Sequence, residues 1–303
     1  MKTVLVTGAS GFIGGHTLQR LATRGYKVEA VSRAAHPSTD SVCWRRADIL
    51  DIDAVAKLIS EVQPTHLLHL AWITEHDIYW TAPENVAWLI ASLKLLELFG
   101  RAGGERVVGL GTCAEYDWSA PSPFCEATTP LHPRNLYGAA KSSLSLMQSE
   151  IARHFHFKQA WCRPFFLYGP GENPSRFVPS LACSLLRGES PDCRDAKTIR
   201  DFLHVDDIGE AIATVLDSDY EGPVNLSSGH GTELGEIANM LSNLAGRATA
   251  ISHARNAHDG GSVVGDASVL TSLGFLPKFG LRSGLAETLE WWRDRLRAAP
   301  EGR

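Results

Sequence analysis

The sequence has no C-x-x-C pair. Its six cysteines, Cys43, Cys113, Cys125, Cys162, Cys183 and Cys193, are scattered. That spacing predicts reduced thiols in place of a disulfide framework, and it argues against a zinc site. The histidines form no metal pattern either: His154 and His156 stand two apart on a predicted helix and so face different ways. There is no basic tract, and the formal net charge is -5, which argues against non-specific nucleic-acid binding. No apolar run approaches the ~20 residues of a membrane-spanning helix. Internal repeats and low-complexity linkers are also lacking. A strand begins at once, in Lys2–Val6, so a cytoplasmic chain without a signal peptide is expected.

What remains is an ordinary globular composition. The 303 residues are 44% hydrophobic and 21% charged, enough for one large domain or two smaller ones. The first half alternates short apolar runs with helical patterns, which predicts β-α-β units and a parallel sheet. Strands are expected at Thr3–Thr7, Lys27–Ser32, His66–Leu70, Arg106–Gly111 and Gln159–Arg163. Helices are expected near Gly14–Arg24, Ile52–Glu61, Pro83–Gly100 and Leu136–Phe155. After Arg163, the breakers Pro164, Gly169-Pro170-Gly171 and Pro174 change the pattern. Helices follow at Phe177–Arg187, Val205–Asp217, Thr232–Ala245 (with Thr232 as N-cap) and Leu281–Arg297, with strands near Thr198–His204 and Val224–Leu226. The fold class is α/β: a Rossmann-like, doubly wound parallel sheet with a smaller, interleaved C-terminal substrate domain. The expected division is a dinucleotide-binding domain over 1–165 plus about 198–228, and a substrate domain over about 166–197 and 229–303.

Gly8, Gly11 and Gly14 lie between the first strand and the first helix, in Thr7-Gly8-Ala9-Ser10-Gly11-Phe12-Ile13-Gly14. Glycine lets the backbone turn tightly and approach a pyrophosphate, and the helix N-terminus offers N–H groups and a positive dipole end. This predicts a nicotinamide dinucleotide site at Gly8, Ser10, Gly11, Phe12, Ile13 and Gly14. A carboxylate at the end of the second strand would bind the adenosine ribose and repel a 2′-phosphate; an arginine does the opposite. Here the strand ends in Ser32-Arg33. NADP(H) is therefore favoured over NAD(H), Glu29 speaking for NAD(H) only if the strand ends earlier.

Tyr137-Gly-Ala-Ala-Lys141 places a phenol and an ammonium four residues apart on one helix face. A cation beside a phenol lowers its pKa, and a tyrosine that trades its proton is a general acid or base for a carbonyl/alcohol pair.

With these segments assembled, the chain resembles the extended short-chain dehydrogenase/reductase family, the nucleotide-sugar epimerase, dehydratase and reductase group. The resemblance covers nearly the whole chain. It rests also on Ala47-Asp48-Ile49, His69-Leu70-Ala71, Asn85-Val86, Val107–Tyr116, Arg163–Gly171, Ile199–Asp207, Asn225–Gly229 and Asp266 through Leu285. It implies that Thr112, Tyr137 and Lys141 are catalytic, Tyr137 protonating a carbonyl oxygen, Thr112 sharing its charge and Lys141 holding the ribose. It implies further cofactor contacts at Ser32, Arg33, Asp48, Ile49, Leu70, Ala71, Asn85 and Arg163. A nucleotide-sugar substrate would meet Trp72, Thr74, Cys113, Phe166, Asn173, Arg176, Phe177 and Arg200, with Glu115, Tyr116 and Trp118 also near the sugar. Arg200 suits the diphosphate, since a planar guanidinium holds phosphate oxygens bidentately. A homodimer through the helices near Pro83–Gly100 and Leu136–Phe155 is implied too.

Departures from the family pattern narrow the chemistry. Family dehydratases carry an Asp-Glu pair after the catalytic threonine; here Cys113-Ala114 stands there. Keto-sugar reductases that also epimerise carry a cysteine two residues before the tyrosine of that segment, where this chain has Ala114, and a histidine after Tyr-Gly-Pro, absent from Gly171–Arg176. Two chemistries survive: NADPH-dependent reduction of a keto group on a nucleotide-linked sugar, a 4-keto-6-deoxyhexose by preference, and NAD-dependent 4-epimerisation. A non-catalytic cofactor-binding regulator and a non-sugar ketone reductase are weighed against them. The intact Tyr137/Lys141 pair speaks against the first, and Ile199–Asp207 against the second.

Overall fold

A computed structural model describes residues 2–76, 78–191, 193, 195–247 and 261–298. Of the expected substrate domain, 192, 194, 248–260 and 299–303 lie outside the described residues. In β1 (Thr3–Thr7), Val4 and Val6 pack into one apolar cluster and Leu5 into another. A strand that buries both faces needs layers on both sides of its sheet. The elements that follow are α1 (Phe12–Thr23), β2 (Lys27–Ser32), β3 (Val42–Arg46), α2 (Ile52–Val62), β4 (His66–His69), α3 (Glu84–Arg101), β5 (Arg106–Leu110), α4 (Leu136–Phe155) and β6 (Lys158–Pro164). They continue through β7 (Phe166–Tyr168), α5 (Phe177–Arg187), β8 (Ile199–His204), α6 (Val205–Asp217), β9 (Gly222–Leu226), β10 (Gly231–Glu233), α7 (Leu234–Leu244), β11 (Ser262–Val263), α8 (Ser268–Ser272) and α9 (Leu281–Ala298).

Seven strands form one parallel sheet in the order β3-β2-β1-β4-β5-β6-β9. The order reverses beside β1, and in such sheets ligands sit outside the carboxyl ends of the strands at that reversal. Leu18 and Leu21 of α1 and Ile208 and Ile212 of α6 cover one face; Leu58 of α2, Leu95 and Phe99 of α3 and Leu144 of α4 cover the other. Asp51 caps α2 by accepting from Asp53 and Ala54 N–H, and Asn135 caps α4 by accepting from Gly138 N–H at 2.8 Å. Arg106, buried in β5, donates to the carbonyls of Val215, Leu216 and Tyr220 at 2.8–2.9 Å and so closes the end of α6 against the sheet.

The second sheet is built around β8. Its first half pairs with β10 and β11, Arg200 lying opposite both Thr232 and Val263, and its second half pairs with β7. Helices α5, α7 and α9 pack over it through Leu181, Leu185, Ile237, Leu241 and Leu285. His16 of α1 bridges the halves: its Nδ1 is 2.7 Å from Asp206 Oδ1 of α6, and its Nε2 is 3.0 Å from the Pro170 carbonyl after β7. Among the described residues no helix is long and apolar enough to cross a membrane.

The expected α/β architecture is present, and α4, α5 and α6 have the expected bounds. Strands β3, β7, β10 and β11 were not anticipated. The proposed cap at Thr232 is corrected: Thr232 lies in β10, paired with Arg200, and α7 begins at Leu234 after Glu233. The ladder to β8 takes the backbone that a cap would need.

Candidate active site

The carboxyl ends of β1, β2, β4, β5 and β6 open into a cavity of about 640 Å³ that reaches the second sheet at Phe166 and Phe202. At its deep end, Gly8 has φ +68, a left-handed conformation that favours glycine. A Cβ on Gly8 would lie 2.7 Å from Ala71 N, and one on Gly14 would lie 2.3 Å from the Gly8 carbonyl. Gly11, at the cap position of α1, brings no side chain to the first-turn N–H groups. Those groups have no intrahelical acceptor and suit an anion. Ser10, Phe12 and Ile13 line the same wall, with Leu70 and Ala71 opposite. This cradle, held open because no side chain fills it, fits a dinucleotide pyrophosphate.

β2 runs its full length to Ser32, so its tip presents Ser32 and Arg33 to the cavity. Ser32 Oγ is 3.2 Å from both Ser10 Oγ and His36 Nε2, and Arg33 is exposed. Glu29 lies in mid-strand, fully buried, 2.7 Å from Arg45 Nε and 3.0 Å from Lys27 Nζ. Burial works against its charge, but these partners prevail and hold the carboxyl below its ordinary range. It therefore does not serve a ribose. Asp48 and Ile49 line the cavity beside Arg33, and Asp48 also accepts from Leu50 N–H.

The other end gathers Thr112, Tyr137 and Lys141. Thr112 caps a short turn at Cys113–Glu115, accepting from Ala114 N–H, while its own N–H donates to Glu115 Oε1 at 2.9 Å. Lys141 Nζ donates to the Leu110 carbonyl at 2.7 Å and lies 4.0 Å from the centre of the Trp72 ring. Burial pushes Lys141 down to about 7, against the charge of Glu115. Burial also pushes the Tyr137 phenol up, with a hydrogen bond to Thr112 pulling the other way. The expectation that Lys141 lowers the phenol is thereby corrected: desolvation is the larger effect on both groups.

Of the expected substrate contacts, Trp72, Thr74, Cys113, Phe166, Asn173, Arg176 and Phe177 line the cavity. Cys113 is buried and pushed up to about 12, an inert thiol. Arg200 stands one layer back. It donates to the carbonyls of Ile199 at 2.8 Å and Gly261 at 3.1 Å, and lies 5.4 Å from the ring centres of Trp118 and Phe166, which are themselves on the wall. Asn85 and Arg163 do not line the cavity. Asn85 is fully buried and its side chain is bonded to Trp72, Tyr79 and Ala82. Arg163 donates to Glu115 Oε2 at 2.9 Å and to the Tyr116 hydroxyl at 3.1 Å. Glu115 and Tyr116 belong to that buried network, with Trp161 and Asn225, and are not at the cavity wall.

Sequence reasoning missed Tyr79, Trp80 and Glu172, all on the wall. Tyr79 and Trp80 meet the Tyr137 ring edge-on at 5.0 and 5.7 Å, and Arg176 NH1 donates to the Tyr79 hydroxyl at 3.3 Å. Their place after β4, at the carboxyl edge of a parallel sheet, is the signal that would have found them. Burial raises Glu172 to about 8 against the nearby Arg176, and its Oε2 is buried without a hydrogen-bond partner.

Residues 4–227 match the model of the NAD dependent epimerase/dehydratase family. Over its length the chain is similar to a dTDP-glucose 4,6-dehydratase of Streptomyces antibioticus, at 27% identity over 96% of this chain and 92% of that one. The structure superposes on a Thermus thermophilus UDP-glucose 4-epimerase in complex with NAD, with a TM-score of 0.84, 28% identity, and coverage of 96% and 99%. It also superposes on MoeE5 in complex with UDP-glucuronic acid and NAD, with a TM-score of 0.80, 30% identity, and coverage of 97% and 99%.

Proposed function

Because this chain belongs to the NAD dependent epimerase/dehydratase family, we propose that it is an enzyme that reduces a keto group on a nucleotide-linked sugar, a 4-keto-6-deoxyhexose by preference, at the expense of NADPH. The observation that carries the reading is the tip of β2. The strand presents Ser32 and Arg33, with His36 beside Ser32, and its own acid, Glu29, is committed to Arg45 and Lys27. Such a tip suits a 2′-phosphate and an exchangeable cofactor. The positions after Thr112 support it further, since buried Cys113 and Ala114 bring no carboxylate for loss of water.

Gly8, Gly11, Phe12 and Ile13 would hold the pyrophosphate, Ser10, Ser32 and Arg33 the phosphorylated ribose, Asp48 and Ile49 the adenine, and Leu70, Ala71 and Lys141 the nicotinamide end. When bound, the nicotinamide supplies the hydride. Tyr137 would hold a proton on its phenolic oxygen, which burial favours, and give it to the substrate oxygen. Thr112 would share the charge on that oxygen. Arg176, Asn173 and Phe177 would face the nucleotide-sugar. The seven-stranded sheet would form the cofactor domain, and the second sheet with its helices the substrate domain.

A second reading, an NAD-dependent 4-epimerase, is favoured by the similarity to the Thermus enzyme. The deciding experiment offers the protein NADPH or NADH with a panel of 4-keto-6-deoxyhexose nucleotides and follows nicotinamide absorbance. Oxidation of NADPH in preference to NADH is expected, with Arg33→Ala raising KM for NADPH about tenfold. Interconversion of two hexose nucleotides without net nicotinamide oxidation would sink the reading in favour of the epimerase.

A further inference from the structure

Asn85 is the first buried residue of α3, and it uses three hydrogen bonds to join two parts of the cavity wall. Its Oδ1 accepts from the indole N–H of Trp72 at 2.8 Å. Its Nδ2 donates to the carbonyls of Tyr79 and Ala82, each at 2.8 Å. A side-chain amide has two N–H donors and one oxygen, so each of these groups is engaged.

The first arm ends on Lys141. With its N–H committed to Asn85, the indole of Trp72 is held in one plane, and the centre of that ring lies 4.0 Å from Lys141 Nζ. That is well inside the ~6 Å reach of a cation over a tryptophan face. The ammonium has three donors, and one goes to the Leu110 carbonyl. Because Lys141 is buried, the π face stabilises the cation where another acceptor would otherwise be needed. The charged group that favours the ammonium is Glu115; His69, pushed down to about 3 by burial and by Lys141, stays neutral beside it. The second arm ends on Tyr137. Its backbone N–H donates to the Trp80 carbonyl at 3.1 Å, inside the segment that Asn85 clamps. The rings of Tyr79 and Trp80 meet the phenol edge-on.

We propose that Trp72, tethered by Asn85, is a positioning residue that fixes and stabilises the ammonium of Lys141, and that the same asparagine sets the aromatic wall against Tyr137. This rests on the reading of Tyr137 and Lys141 as the catalytic pair. Neither Trp72 nor Asn85 needs to touch the cofactor for this role.

The test is the titration of Lys141 in the full-length protein, read by NMR from isotope-labelled lysine Cε. Trp72 is replaced site-specifically by tryptophans carrying one, two and three fluorines, which keep the shape and the N–H but weaken the π face. The Lys141 midpoint should fall with each fluorine, by about one pH unit over the series. A midpoint that does not move overturns the proposal. Benzothienylalanine at position 72 keeps the bicyclic face but cannot donate to Asn85. There the midpoint should fall as well; a midpoint equal to that of the native protein overturns the tether. The pH profile of turnover should carry the same shift. If the NMR shift appears while no keto-sugar nucleotide is turned over, the positioning role stands and the functional reading fails.

Discussion

At Tyr137 two physical effects compete, and their sizes decide which proton state the site holds. Burial among Tyr79, Trp80 and the end of β5 raises the phenol; the hydroxyl of Thr112 lowers it by less. On the proposed reading the phenol would enter the reaction protonated, the state a general acid needs. Tyr137→Phe removes that proton with almost no change of volume. Turnover should fall about 10²–10⁴-fold while NADPH affinity, measured by fluorescence quenching, is kept; retention of activity would overturn the assignment. Glu172 provides a second residue-scale prediction. Burial raises its carboxyl to about 8, so between the ordinary value of 4.5 and that pH the folded chain holds a proton that the unfolded chain has lost. Stability then falls as pH rises through that window. Glu172→Gln should abolish this slope, which is on the order of 1–3 kcal/mol across the window by denaturant titration. A variant whose slope from pH 5 to 8 matches the native protein would disprove the burial argument.

At the scale of elements, what was legible followed from pattern length. Helices α4, α5 and α6 carry apolar stripes over 11–20 residues, with Asn135 capping α4, and their bounds were readable. Strand β3 was not. It is an edge strand in which only Val42 is buried, so its residues carry no period-two signal. Strands β7, β10 and β11 are two or three residues long and exist because β8 pairs with them; such partners lie far apart in sequence. The same holds within the site. The glycine turn and the Tyr137/Lys141 pair are local, whereas the tie from Asn85 to Trp72 and the commitment of Arg163 to Glu115 depend on tertiary neighbours. The glycine turn is also where an element can be tested. A Cβ on Gly14 would lie 2.3 Å from the Gly8 carbonyl and 2.8 Å from Ala9 Cα, backbone that cannot yield without opening the β1–α1 turn. Gly14→Ala should cost about 2–3 kcal/mol and lower the melting temperature accordingly. Unchanged thermal denaturation would mean the turn is looser than drawn.

For the whole molecule, the outer surface of the α3 and α4 layer raises the question of what covers it. Val86, Ile90, Leu146 and Met147 are exposed by 49, 56, 66 and 41%, whereas the opposite sides of both helices bury Leu95, Phe99 and Leu144 against the sheet. Singly such residues are ordinary; four on two packed helices suit an isologous contact with a second copy, each protomer contributing both helices. The expected homodimer would then brace the helix that carries Tyr137 and Lys141 from the side away from the cavity. Ile90→Glu with Leu146→Glu places a charge on each helix, and a closed two-fold contact would bury about four of them, two from each protomer. Light scattering should find the native protein dimeric and the double variant monomeric. Because the Trp72–Lys141 and Thr112–Tyr137 contacts are made within one chain, the monomer should still bind NADPH, with a lower melting temperature. A monomeric native protein would remove the dimer from the account and leave the site chemistry unaffected.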